Sequence, residues 1–363
     1  MKRRESLKPL AKKTDELPWD FFDRCFLPII FSHAAATIVS FVLQILRISQ
    51  ISSFSLFLLF ALITISFTIC FHNLQVSAAG KAVLITSCDN QIGYALARQL
   101  DDLGFTIFAG FTDKQKGTKL KEESSARLHI LQLDVTSEKD IREAFIYVHK
   151  NLPANAPGLW ALVNNTTWAA FGEFEWLPPE VFKKSIDVNL MSVIRITQLF
   201  LPSIRKTKGR IVNVTSITGR IPSELRSTLC TVKAGLEAFS ECLRMEMRKW
   251  GIDVVVVEPG STTTGTWFDD KKIIADARDM WSQMSDETQK YYTEDYFEFK
   301  VRSLPEYINS DKEINLSSAV KALADAVNKT FPLVRYTPIT KQEKLQTFIA
   351  QHLPHSVYRI LYT

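Results

Sequence analysis

The chain opens with two long apolar stretches, residues 26–46 and 51–71, neither of which carries a formal charge. Each is about 21 residues long, enough for a helix to cross a hydrocarbon core of roughly 30 Å. Only residues 47–50 separate them, so the pattern predicts a hairpin of two membrane-spanning helices. Two alternatives stay open: the first stretch lies in the membrane interface while the second spans, or both are buried core helices.

After Gly80 the pattern changes to short apolar runs separated by helical stretches. Runs rich in Val, Ile and Leu are typical of strands buried on both faces of a sheet. Their alternation with helices predicts an α/β fold, a Rossmann-type doubly wound parallel sheet. The predicted strands are 82–86, 106–109, 128–133, 159–163, 210–214 and 253–257, and the predicted helices are 93–103, 137–151, 179–201 and 227–250.

These patterns divide the chain into four parts: an N-terminal segment (1–25), the anchor hairpin (26–71), the α/β domain (80–340) and a C-terminal helix (341–363). Seven Lys and Arg residues precede Cys25, which predicts a cytoplasmic N-terminus by the positive-inside rule. A hairpin returns the α/β domain to the cytoplasm, whereas a single span places it in a lumen. We expect the endoplasmic reticulum membrane, with a mitochondrial membrane as the alternative. The last helix is expected on the protein surface or against the membrane.

Composition narrows the function. With 46% hydrophobic residues and 23% charged ones, the chain is too apolar for a disordered protein. Its net charge of +5 is spread along the sequence, so we expect no nucleic-acid partner. The five cysteines form no C-x-x-C pair and the six histidines are scattered, so no metal site is expected.

The first strand-to-helix turn of a doubly wound sheet is the usual phosphate-binding loop. Here it covers residues 86–93, and Gly93 is its only glycine, where a dinucleotide-binding turn normally has three. Taken alone, this turn is a weak signal.

Further landmarks follow in order: Asp134-Val135, Asn164-Asn165, Asn189, Ser216, Lys233 and Pro259-Gly260. Their order and spacing resemble the short-chain dehydrogenase/reductase family. The stretches GRIVNVTSITGR and KAGLEAFSECLRMEM are most similar to its membrane-associated branch, which includes 3-hydroxybutyrate, retinol and 17β- and 11β-hydroxysteroid dehydrogenases.

The resemblance implies catalytic roles for Ser216, Lys233 and Asn189. The family's catalytic tyrosine, four residues before the lysine, is replaced by Leu229. A water held by Ser216 and Lys233, or the Cys230 thiol, would then have to supply the proton. The cofactor-binding positions implied are Ser87, Asp89, Gln91, Ile92, Gly93, Asp134, Val135, Asn164, Lys233, Pro259, Gly260 and Thr264.

Ser87 and Gln91 stand where the family has glycines, and the Gln91 side chain is expected to crowd a pyrophosphate. Asn90 precedes Gln91, and no arginine follows the second strand, so NAD is preferred over NADP. In the family, residues 265–316 form a lid over the substrate, and here they are rich in aromatic residues.

Two functions therefore remain open. The first is a membrane-bound oxidoreductase acting on a hydrophobic alcohol or ketone, such as a steroid (an ecdysteroid included) or a retinoid, through an atypical active site. The second is a catalytically silent relative that binds a lipid, a nucleotide or a homologous partner. The family forms dimers through the long helices around Asn189 and Lys233, so a homodimer or heterodimer is expected.

Overall fold

A computed structural model describes residues 19–260, 268–308 and 316–362. The described residues form two compact units: a smaller one from residues 19–77 and 328–336, and a larger one from the described residues within 78–327 and 337–362. The predicted Thr264 site and residues 265–267 and 309–315 of the predicted lid lie outside the described residues.

The smaller unit contains a helical hairpin made of α1 (Trp19–Ile45) and α2 (Ser53–Asn73). The two helices run antiparallel, because the Ser32 and Thr64 hydroxyls are 2.9 Å apart and Ser40 Oγ donates to Ile51 O. Segments Cys25–Ile45 and Ser53–Asn73 have mean hydropathies of 2.0 and 2.4, and both are long and apolar enough to cross a membrane. Only 17% and 11% of their residues are buried. Core helices of a globular domain are mostly buried, so this low burial favours the interpretation as membrane-spanning helices.

The larger unit confirms the predicted doubly wound parallel sheet. Its strands are β1 (Ala82–Ile85), β2 (Thr106–Phe111), β3 (Leu128–Gln132), β4 (Ala161–Asn164), β5 (Arg210–Val214) and β6 (Asp253–Val257). They pair in parallel in the order β3-β2-β1-β4-β5-β6. The order reverses between β1 and β4, and the carboxyl ends of strands at such a switch point are the usual ligand site. A further short strand, β7 (Arg335–Tyr336), belongs to the smaller unit.

The connecting helices are α3 (Gln91–Asp102), α4 (Thr118–Glu123), α5 (Glu138–Lys150), α6 (Pro179–Ile186), α7 (Ser192–Thr207) and α8 (Ser227–Met247). They are followed by α9 (Asp270–Ser282), α10 (Asp286–Tyr291), α11 (Glu294–Ile308), α12 (Leu316–Asn328), α13 (Lys341–His352) and α14 (His355–Tyr362). One core layer packs the apolar faces of α5 and α7 against strands of the sheet, through Ile141, Ile196 and Phe200.

Two predicted helices are interrupted. The single helix expected over 179–201 is divided by a π-helical turn, Asp187–Met191. The single helix expected over 341–363 is in fact two helices, and Pro354 lies between them. Proline disfavours helical geometry at the residue before it, and Leu353 is accordingly extended.

Candidate functional site

A cleft of about 500 Å³ lies where β1 to β4 end. We call it the strand-end cleft, and ligand sites in proteins have volumes of this order. Its walls come from the loops after the four strands and from α6. The side chains that line it include Ser87, Asp89, Thr112, Asp134, Val135, Thr136, Thr166, Thr167, Trp168, Lys183 and Lys184.

The structure brings some of the predicted cofactor residues together at this cleft. Ser87, Asp89, Asp134 and Val135 line it. The others have different surroundings: Gln91 is exposed at the start of α3, Ile92, Gly93, Asn164, Lys233, Pro259 and Gly260 are buried, and none of them lines the cleft.

Two carboxylates fix the mouth of the cleft. Asp89 accepts hydrogen bonds from the Thr112 backbone N–H at 3.0 Å and from the Thr112 hydroxyl at 2.9 Å, which ties the loop after β1 to the end of β2. Asp134 accepts from the backbone N–H and hydroxyl of Thr136 at 2.8 and 2.7 Å. These two bonds stabilise the turn that follows β3.

The loop after β1 is also hydrogen-bonded to the loop after β4. Asn90 caps α3 by accepting from the Gly93 N–H at 2.8 Å. Asn165 Nδ2 donates to Ser87 O at 2.8 Å and to Asn90 Oδ1 at 3.1 Å. A Cβ at position 93 would lie 2.1 Å from Ser87 O. Gly93 is therefore required for this close approach of helix and loop.

Asn164 belongs to a buried polar network rather than to the cleft. Its Nδ2 donates to Asn213 Oδ1 at 2.8 Å and to Thr197 Oγ1 at 3.3 Å. Asn213 Nδ2 in turn donates to the Ser240 hydroxyl at 2.8 Å. This network links β4, β5 and two helices, so its direct effect is on the packing of the sheet.

Leu229 points into an apolar cluster. It is 2% exposed and packs among residues of the loop after β4, Leu225, and helices α9 and α11. The cluster includes Phe171, Trp176 and Phe297. The described part of the predicted lid thus packs on its own domain and encloses the position where the family places a phenol.

Lys233, one turn along α8 from Leu229, is fully buried. Its Nζ donates to Thr167 Oγ1 at 3.2 Å and to Val214 O at 3.1 Å. Burial lowers the pKa of this ammonium to about 7, against a smaller opposing effect of Glu237. Near neutral pH, Lys233 is therefore divided between its charged and neutral forms.

Ser216 and Asn189 are also fully buried, and each has a local partner. The Ser216 hydroxyl accepts from the Thr218 N–H at 3.3 Å and caps a short 3-10 helix. Asn189 accepts from Trp168 N at 2.8 Å and donates to Trp168 O at 2.7 Å and to Ser185 O at 2.9 Å. Its side chain stabilises the π-helical turn and the loop after β4.

Pro259 and Gly260 follow β6. Pro259 O accepts from the Ile217 N–H at 3.2 Å, which holds this turn against the Ser216 segment. A Cβ at position 260 would lie 2.4 Å from the Glu343 carboxylate. Gly260 thus lets α13 pack closely against the turn.

The thiol and phenol side chains near the site are poorly suited to donate a proton in place of the missing catalytic tyrosine. Burial raises the pKa of the Cys230 thiol. Tyr292 and Tyr296 interact with Glu173 and Glu175, and their pKa values rise to about 12, through burial first for Tyr292 and the hydrogen bond to Glu173 first for Tyr296.

Helix α6 contributes to the cleft, which was not predicted from the sequence. Lys183 and Lys184 line it, and Lys184 Nζ lies 4.7 Å from the centre of the Trp168 ring. The signal was present in the spacing of Glu180, Lys183, Lys184 and Asp187, since residues three or four apart share one face of a helix.

Comparisons with known proteins agree with this architecture. A family model for short chain dehydrogenase matches residues 81–272. The chain is 37% identical over 291 residues to the mitochondrial D-beta-hydroxybutyrate dehydrogenase of Rattus norvegicus, covering 79% of this chain and 84% of the relative. It is also 37% identical over 223 residues to estradiol 17-beta-dehydrogenase 2 of Mus musculus, covering 59% and 55% of the two chains.

Among solved structures, 3-ketoacyl-(acyl-carrier-protein) reductase of Brucella melitensis, complexed with NADH, shares the fold. Its TM-score is 0.56 at 17% identity, over 74% of this chain and all of that one. On this evidence the chain belongs to the short-chain dehydrogenase/reductase family of oxidoreductases, in the membrane-associated branch with the hydroxybutyrate and steroid dehydrogenases.

Proposed function

We propose that this chain is a membrane-anchored family member that binds a nucleotide in the strand-end cleft without completing the dehydrogenase reaction. One observation carries the proposal: Leu229, buried in an apolar cluster, stands where the reaction needs a proton donor. A positioned general acid contributes about 10² to 10⁴ in rate. The cluster around Leu229 consists of apolar side chains such as Phe171 and Phe297, which offer a replacement water no hydrogen-bond partner.

The residues of the cleft fit one half of a nicotinamide dinucleotide. Threonine hydroxyls, backbone groups and the Asp89 and Asp134 carboxylates suit the ribose and base of an adenosine. The Asp89 carboxylate disfavours a 2′-phosphate by charge repulsion and favours NAD over NADP. Lys183 and Lys184 supply positive charge at the same cleft for the phosphates of the ligand.

The nicotinamide half fits less well. In the family, the lysine corresponding to Lys233 holds the nicotinamide ribose. Here its Nζ donates to the Thr167 hydroxyl instead, and the side chain is fully buried. Thr167 stands where the family has a glycine, so its hydroxyl accepts one of the three hydrogen bonds that the ammonium can donate. The added side chain at position 167 therefore leaves less room for a nicotinamide ribose beside Lys233.

A second function rests on a different observation. Ser216 and Lys233 are both retained, and the pKa of Lys233, about 7, is close to the value preferred for a general acid at neutral pH. With Lys233 as donor, the chain would be an oxidoreductase acting on a hydrophobic alcohol or ketone, such as a steroid, an ecdysteroid included, or a retinoid. The aromatic cluster over Leu229 supports an apolar substrate.

Nucleotide titration of the full chain in detergent tests the first proposal. NADH, NADPH and ADP-ribose are titrated calorimetrically into the native protein and into Asp89→Ala. We expect NADH and ADP-ribose to bind with similar affinity, because the nicotinamide adds little, and Asp89→Ala to weaken both. No binding to the native protein would remove the nucleotide from the proposal, and equal binding to the two proteins would show that it does not bind beside Asp89 in the strand-end cleft.

We also propose the endoplasmic reticulum membrane, with the larger unit in the cytoplasm, because a hairpin returns the chain to the side of its basic N-terminus. The relative named as mitochondrial supports a mitochondrial membrane as the alternative. Protease digestion of sealed microsomes tests the topology: we expect the larger unit to be digested without detergent, and protection would contradict it.

Pairing with a second copy or a homologous dehydrogenase is proposed through the helices around Asn189 and Lys233. Cross-linking in intact membranes tests it. We expect a cross-linked species of twice the mass or of mixed composition, and monomers alone would contradict the pairing.

A further inference from the structure

The segment after α12 returns to the end of the second apolar helix and pairs with it. Thr330 N donates to Leu74 O at 2.9 Å, and Val76 N donates to Asn328 O at 2.8 Å. An antiparallel bridge joins Gln75 and Lys329. These backbone bonds fix residues 331–334, which we call the interfacial loop, beside the last turn of α2.

Aromatic packing continues this contact into the apolar part of the helix. The Phe331 ring lies 5.6 Å from the Phe71 ring in an edge-to-face arrangement. Together with four residues one to two turns earlier on α2, these rings line a groove of about 620 Å³. Apart from two threonines, Thr64 and Thr68, the groove is lined by apolar side chains.

The loop nevertheless leaves large apolar side chains uncovered. Phe331 is 47% exposed and Val334 is 60% exposed, although Leu333 between them is buried at 2%. Leu333 N donates to the Tyr336 hydroxyl at 3.1 Å, which holds the loop in its turn. The exposed pair therefore stands on a backbone that is fixed at both ends.

The length of α2 sets the depth of this loop. Its 21 residues span about 32 Å at 1.5 Å per residue, which matches a hydrocarbon core of roughly 30 Å. Phe71 lies two residues before the end of the helix, about 3 Å along its axis. A side chain in contact with Phe71 is therefore at the boundary between hydrocarbon and headgroups.

We propose that the interfacial loop inserts Phe331 and Val334 into the membrane interface beside α2, and that phospholipid acyl chains occupy the groove. Continuity with the α2 surface identifies lipid as the occupant. Phe and Leu side chains of segments that lie on a bilayer are commonly buried at this boundary between headgroups and acyl chains. The chain is then attached to the bilayer at a site about 260 residues beyond the hairpin in sequence.

Fluorescence quenching on the full chain in phosphatidylcholine nanodiscs tests the proposal, because both faces of a nanodisc are open to solvent. A bimane probe is attached at Val334→Cys after the exposed native thiols Cys70 and Cys242 and the partly exposed Cys230 are changed to Ser. Two matched controls carry the probe at Leu62→Cys, exposed on the middle of α2, and at Gln50→Cys, in the polar turn.

We expect brominated lipid to quench the Val334→Cys probe severalfold more than the Gln50→Cys probe, with iodide showing the reverse order. A probe at Phe331→Cys should behave like that at Val334→Cys, and circular dichroism checks that each variant is folded. If brominated lipid and iodide quench both loop probes to the same extent as the Gln50→Cys probe, the proposal is overturned. Lack of lipid quenching at Leu62→Cys would overturn it as well, by removing the bilayer from α2.

Discussion

Replacing Lys233 by methionine should change how the stability of the protein depends on pH. Methionine has a similar length and no charge, so Lys233→Met removes the titrating group from its buried position. Burial lowers the pKa of Lys233 from 10.5 to about 7. Between these values the unfolded chain binds the proton and the folded chain does not, so stability rises with pH across this window.

The expected change in the free energy of unfolding follows from the shift in the pKa of Lys233. At about 1.4 kcal/mol per pKa unit, the shift corresponds to about 5 kcal/mol in total. Most of it lies above pH 7, and the interval from pH 7 to pH 9 accounts for about 2 kcal/mol. For a domain of this size, that difference corresponds to roughly 4–8 °C in Tm.

Thermal unfolding of the native protein and of Lys233→Met, in detergent at pH 7 and pH 9, measures this difference in stability. The native protein should gain several degrees of Tm relative to Lys233→Met over this interval. Other titrating groups cancel in the comparison, since they are present in both proteins. If Tm changes equally with pH in the two proteins, Lys233 is charged in the folded state and the account of its burial is incorrect.

Three further changes have defined outcomes. Leu229→Ala leaves a cavity in the apolar cluster and should cost about 2–5 kcal/mol of unfolding free energy, measured by thermal unfolding, whereas a loss under 1 kcal/mol would show a loosely packed site. Gly93→Ala places a Cβ against a backbone oxygen and should lower Tm by several degrees. The control Gly235→Ala on α8 meets only a side chain, at 3.2 Å, and should leave Tm nearly unchanged. Equal changes in Tm for the two variants would contradict the close approach at Gly93. Asp89→Asn removes the charge beside Thr112 and should narrow the preference for NADH over NADPH in calorimetry, and an unchanged ratio would exclude Asp89 as its source.

The sheet was predictable because its strands are buried on both faces and therefore form uninterrupted apolar runs, as in β1 and β6. The break in the predicted helix 179–201 could not be predicted in this way. It is accompanied by hydrogen bonds between Asn189 and Trp168, and these two residues are distant in sequence. The break near Pro354 could have been predicted from the proline alone.

For the candidate site, the sequence predicted a set of positions, but it did not predict the hydrogen-bond partners of their side chains. The substitution at Leu229 was evident from its spacing to Lys233. The link between Lys233 and Thr167 depends on how the loop after β4 meets α8, and sequence spacing carries no information about that distance. Similarly, Asn164 was expected to bind a cofactor, whereas its amide is engaged with Asn213 and Thr197 inside the sheet.

The most direct test of the central claim is turnover. Purified native protein is assayed with NAD and NADP against steroid, retinoid and 3-hydroxybutyrate substrates, beside Leu229→Tyr, which restores a phenol, and Leu229→Phe, which matches its ring without the hydroxyl. The account predicts no turnover by the native protein or by Leu229→Phe, and any recovered activity only with Leu229→Tyr. Native turnover that is lost in Lys233→Met would contradict it, because the chain would then be an oxidoreductase whose proton comes from Lys233.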